Sequence, residues 1–147
     1  MKKIILFSSF CIYLAFVISK VFFPLPISKE RINLYREIYA DADLYTFAIQ
    51  TTLQRENILN IIMTLPLGVY LRLLFKNNKL ISVLAIGFLF SLGIETIQLI
   101  LSILFKAKAW HFDINDILMN TIGTAIGFLI TTSLLEAYNY FNKRHNI

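Results

Sequence analysis

The chain has 147 residues, 57% hydrophobic and 16% charged, with a net charge of +5 and a mean hydropathy of +0.67. Soluble domains run at about 45–50% apolar and about 25% charged residues; here the apolar residues come in long blocks, which excludes a soluble core and reads as an integral membrane protein. The lone cysteine, Cys11, excludes an intrachain disulfide, no Cys/His set has zinc spacing, and no Lys/Arg run of the nucleic-acid-binding kind occurs.

A span of about 20 apolar residues matches roughly 30 Å of hydrocarbon, and four such blocks are present. The first covers residues 4–23, after Lys2 and Lys3, with Pro24 and Pro26 closing it. A signal peptide shares this pattern, with Val17-Ile18-Ser19 as a passable cleavage site, but three further spans favour an uncleaved anchor. Residues 24–56 form the one sizeable extramembrane segment. Within it Ile32, Tyr35 and Tyr39 share a helical face, which predicts an interfacial helix or, failing that, a loop. The second span is 57–75 and contains Pro66 and Gly68, which membrane helices tolerate. The third is 80–105, long enough to tilt, and the fourth is 114–135. The expected fold is thus all-α: one domain over residues 1–147, built as a four-transmembrane-helix bundle.

Lys and Arg near the span ends almost balance between the two sides. The amino-terminal lysine pair and the tight turn containing Arg72, Lys76 and Lys79 favour both termini in the cytoplasm. The segment 24–56 is then outside.

Three spans carry polar residues at helical spacing: Asn57, Asn60 and Thr64; Ser91, Glu95, Gln98 and Ser102; Asp113, Asp116, Asn120 and Thr124. At 100° per residue each set forms one stripe. With both termini inside, the three stripes meet in the outer half of the membrane. An ionisable group facing lipid costs about 2.5–3.5 kcal/mol, so Glu95 belongs in the bundle interior, protonated, paired or wetted by a cavity. Asn60, Glu95, Gln98, Asp113, Asp116 and Asn120 are the predicted lining of a polar pocket. The plainer reading makes these groups helix caps and interhelical hydrogen bonds, with Asp113 capping the fourth helix. Carboxylates are ligands of the right kind for a divalent cation, but no ligand loop is visible, so neither a metal nor another cofactor is expected. No nucleophile–base constellation is recognisable. His111, between Trp110 and Phe112, is read as interfacial, and a non-enzyme is favoured.

The blocks "NIIMTLPLG" (60–68), "SLGIETIQ" (91–98) and "FDINDILMNTIGTAIG" (112–127) resemble the three signature blocks of the VanZ-like family, in the family's order. The resemblance covers residues 53–130 and implies a small multi-span bacterial membrane protein. The family's namesake is associated with reduced susceptibility to teicoplanin, a lipoglycopeptide antibiotic acting at the cell wall. The matching motif positions are Asn60, Pro66, Glu95, Gln98, Asp113, Asp116, Asn120 and Gly123. Where the family often has an arginine, three residues before the first aspartate of the third block, this chain has Trp110. The implied function is an outward-facing pocket that binds a cell-envelope lipid, a headgroup or a lipid-linked wall precursor and lowers susceptibility to teicoplanin-type glycopeptides. The alternative is a small proton-coupled transporter using Glu95.

Overall fold

The computed structural model describes residues 2–23, 25, 28–49, 54–75, 79–107 and 110–145. Pro24, Pro26 and Lys76, which mark span ends and topology in the sequence, lie outside the described residues. The elements are helices α1 (Lys2–Phe22), α2 (Lys29–Ile38), α3 (Arg55–Leu74), α4 (Leu80–Phe105) and α5 (Ile114–His145), with two short strands, β1 (Tyr45–Thr46) and β2 (Phe112–Asp113). All the helices but α2 are long and apolar enough to cross a membrane. The all-α bundle predicted from the apolar blocks is therefore the fold. The last helix continues beyond the predicted limit at 135, and Glu136, Asn139, Lys143 and Arg144 are all exposed along the added turns. Hydropathy marks where hydrocarbon ends; it does not end a helix whose backbone bonds remain favourable.

The centre of the bundle is a parallel pair, α3 and α5, with Asn60 beside Asp116 at one end and Arg72 beside Thr132 towards the other. Small residues set its spacing. A Cβ at Gly68 would lie 1.9 Å from Thr124 O, and one at Gly127 would lie 1.9 Å from Leu65 O. Close approach of this kind is how helices gain dispersion contact when lipid and protein are equally apolar. Helix α4 runs antiparallel to both, and Leu67, Leu71, Val83 and Phe128 form a buried apolar cluster among the three.

Helix α1 is seated more loosely. Only 6% of its apolar window is buried, against 28–39% for the others. Tyr13 OH donates to Met63 O at 2.9 Å, in the turn preceding Pro66, and the rings of Phe10, Tyr13 and Tyr70 cluster beside it.

The predicted interfacial helix is α2. Its Ser28 cap accepts from Arg31 N. Ile32 and Tyr35 are half-buried, while Tyr39 is exposed. Tyr35 packs 6.2 Å from the Trp110 ring. Arg36 Nε and Nη2 both donate to Phe105 O, at 3.1 and 3.0 Å, so α2 satisfies a terminal carbonyl of α4 with a cation, as the helix dipole favours. Helix α4 ends with Lys106 in the left-handed region (φ 50°). Ala107 N then donates back to Ser102 O, and Ser102 Oγ donates to Trp110 O. This closure turns the chain back toward α5. The strands were not foreseen from the sequence: β1 pairs in parallel with β2, Tyr45 opposite Phe112 and Thr46 opposite Asp113. The pairing lays the α2–α3 connection across the start of α5.

Candidate functional site

The three polar stripes meet at the end of the bundle where α5 begins. Asn60 Nδ2 of α3 donates to Asp116 Oδ1 of α5 at 2.6 Å. Ser91 Oγ of α4 donates to Asp116 O at 3.4 Å and accepts from Asn120 Nδ2 at 2.8 Å. One turn further along α4, Glu95, only 1% exposed, accepts from Asp113 N at 2.9 Å. Thr64 and Thr124 turn their hydroxyls onto their own helices, to Asn60 O and Asn120 O. Both bonds stay within their own helix, and neither is the interhelical bond of the plainer reading.

Asp113 stands at the cap position of α5. Its Oδ1 accepts from Asn115 N and from Asn115 Nδ2, both at 2.8 Å. The same Asn115 amide also donates to Ala48 O at 2.9 Å, which ties the β1 segment to the helix start. Loss of a capping oxygen costs about 1 kcal/mol, and Asn caps as well as Asp. Asp113→Ala should therefore lower the thermal unfolding midpoint in detergent, while Asp113→Asn should leave it near the parent value. Equal melting of the two variants would remove the cap assignment.

Above this network lies a cavity of about 240 Å³ lined by Gln54, Glu56, Asn57, His111, Asp113 and Asp116. It carries three carboxylates, and no lysine or arginine is among its described lining residues. His111 Nε2 lies 3.8 Å from Asp113 Oδ2, with the imidazole half exposed. A concave site lined by one sign of charge concentrates its potential, attracts cations and repels phosphate and carboxylate groups. At 3.8 Å the two side chains are beyond hydrogen-bond reach, so Asp113 does not orient the imidazole as it would for a general base. No hydroxyl or thiol nucleophile accompanies it among the described lining residues.

The six residues singled out from the sequence occupy different places in this arrangement. Asp113 and Asp116 line the cavity. Asn60 holds Asp116 from the α3 side, and Glu95 and Asn120 lie buried in the α4–α5 seam. Gln98 is directed elsewhere, its amide donating to Val21 O of α1 at 3.5 Å. Asn57, part of the α3 stripe, is a lining residue. Gln54, Glu56 and His111 were not foreseen as such. His111 was assigned by its aromatic neighbours to the interface, and its approach to Asp113 depends on how the chain turns after α4. Asn115 was also missed, although an Asp-x-Asn at a helix start is a recognisable capping signal.

Among the described residues, no group of three or more His, Cys, Asp or Glu side chains is arranged to hold a metal ion. The family model described as VanZ/LLP1 matches residues 10–135. No curated protein and no solved structure matches the chain. The match spans most of the sequence, and with four helices apolar enough to cross a membrane the chain belongs to the VanZ-like family of membrane proteins.

Proposed function

We propose that this VanZ-like protein sits in the cell membrane with both termini in the cytoplasm and binds the polar headgroup of a cell-envelope lipid, or of a lipid-linked wall precursor, at the outer face. Its occupation of that lipid lowers susceptibility to teicoplanin-type glycopeptides. The observation that carries this reading is the cavity where α5 begins, with Glu56, Asp113 and Asp116 in its wall and Asn60, Glu95 and Asn120 supporting it from three helices. A bundle held by hydrogen bonds alone has no need of charge at this depth, because charge there is costly and neutral amides and hydroxyls join helices adequately.

The test is teicoplanin and vancomycin susceptibility in one sensitive host. The host expresses the parent chain, Glu95→Gln, Asp116→Asn or nothing, with membrane levels matched by blot. Both substitutions keep the oxygen that accepts from Asp113 N or Asn60 Nδ2 and remove only the ionisable group. The parent should raise the teicoplanin inhibitory concentration several-fold and leave vancomycin unchanged, and both variants should lose the effect. A parent chain without protection would overturn the resistance role. The transporter alternative makes a separate prediction, namely that activity collapses with the proton gradient in the parent and is absent in Glu95→Gln.

A further inference from the structure

The cavity has a neighbour. Between α1 and α3 lies a groove of about 400 Å³ lined by Phe16, Lys20, Leu59, Asn60, Ile62 and Met63. Four of these side chains are apolar, and Leu59 and Ile62 are 51% and 58% exposed on the outside of the bundle. Asn60 belongs to the groove, while Asp116, to which it donates at 2.6 Å, belongs to the carboxylate cavity. That single hydrogen bond joins an apolar compartment open to the side of the bundle to a charged compartment at its end.

We propose that the ligand is a phospholipid with a primary ammonium in its headgroup: an acyl chain lies in the α1–α3 groove, and the ammonium enters the carboxylate cavity past Asn60 and Asp116. The inference rests on the headgroup reading above and narrows it to one chemical class. The order of groups along the site matches the order along such a lipid. Hydrocarbon meets Phe16, Leu59, Ile62 and Met63. The phosphate meets Lys20, whose ammonium lies 5.6 Å from the Phe16 ring centroid at the groove. The amine meets Glu56, Asp113 and Asp116, where three acceptor carboxylates suit a group that has three donors and no acceptor. A glycerol or sugar headgroup would bring no positive charge to those carboxylates.

The full chain, purified in a non-ionic detergent, is exposed in turn to phosphatidylethanolamine, its N-acetylated derivative and phosphatidylglycerol with identical acyl chains. Retained lipid is quantified by mass after exchange. Soluble phosphoethanolamine is then titrated as a probe of the headgroup positions without the acyl chain. The amine lipid should be retained about tenfold over either competitor, the ratio of one charge-assisted hydrogen bond. Leu59→Trp and Ile62→Trp, each at a position facing outward, should abolish that preference while leaving phosphoethanolamine binding intact; Asp116→Asn should abolish both. Equal retention of the acetylated lipid or phosphatidylglycerol would overturn the amine assignment. Phosphoethanolamine binding that needs Asp116, with lipid retention indifferent to both tryptophans, would overturn the groove and leave the headgroup reading standing. If no probe depends on Asp116, the headgroup reading falls as well.

Discussion

Adding one methyl group at position 127 should unseat α3 from α5. The Cβ of a Gly127→Ala chain would lie 1.9 Å from Leu65 O and 2.9 Å from Leu65 C. Both atoms are helix backbone, so no rotamer change relieves the clash, and the two axes must separate. The expected cost is about 3 kcal/mol, the upper part of the range for overpacking, opposed by the roughly 1 kcal/mol that alanine gains over glycine within a helix. Unfolding in mixed micelles, followed by circular dichroism, measures the difference. Gly93→Ala is the internal control, because nothing lies within 4 Å of a Cβ built there; it should be neutral or slightly stabilising. Separation of the helices should also break the Asn60–Asp116 bond at 2.6 Å, so the Gly127 variant should lose headgroup binding along with stability. If Gly127→Ala and Gly93→Ala unfold alike, the close α3–α5 approach is wrong.

What the sequence discloses follows from which interactions are periodic. The apolar blocks predict α4 to its observed limits, Leu80–Phe105, and α1 and α3 to within a residue or two at each end, because hydrocarbon thickness fixes their length. The stripes at Asn60, Glu95 and Asp116 are legible for the same reason: helical spacing puts them on one face, and charge drives that face inward. The spacing cannot show which partner each group finds. Gln98 shares the stripe of Glu95 yet bonds to α1, since the α1 position depends on packing rather than on period. Gly123 and Gly127 form a G-x-x-x-G pair, a sequence signal for close helix contact. The cavity itself was the least accessible part. Gln54 and Glu56 stand at the start of α3, and His111 lies in the turn after α4. Their meeting is set by the β1–β2 pairing, the Asn115 bond to Ala48 and the docking of α2 by Arg36 and Tyr35, all of them non-local. Trp110 stands where the resemblance implies an arginine; among the described residues lining the cavity there is no lysine or arginine, and the guanidinium of Arg36 is bound to Phe105 O.

The central proposal is a carboxylate cavity that opens outside the cell, and cysteine accessibility tests it most directly. Cys11, the single native cysteine, is replaced by Ala, and one cysteine is introduced either at Glu56, in the cavity, or at Asn139, which lines a separate pocket with Arg72, Leu73 and Leu135. Intact cells are treated with a membrane-impermeant maleimide, with and without prior permeabilisation. The account predicts strong labelling of Glu56→Cys in intact cells and labelling of Asn139→Cys only after permeabilisation. The reverse pattern, with Asn139→Cys labelled in intact cells and Glu56→Cys silent until the membrane is opened, would place the cavity on the cytoplasmic side and contradict the account.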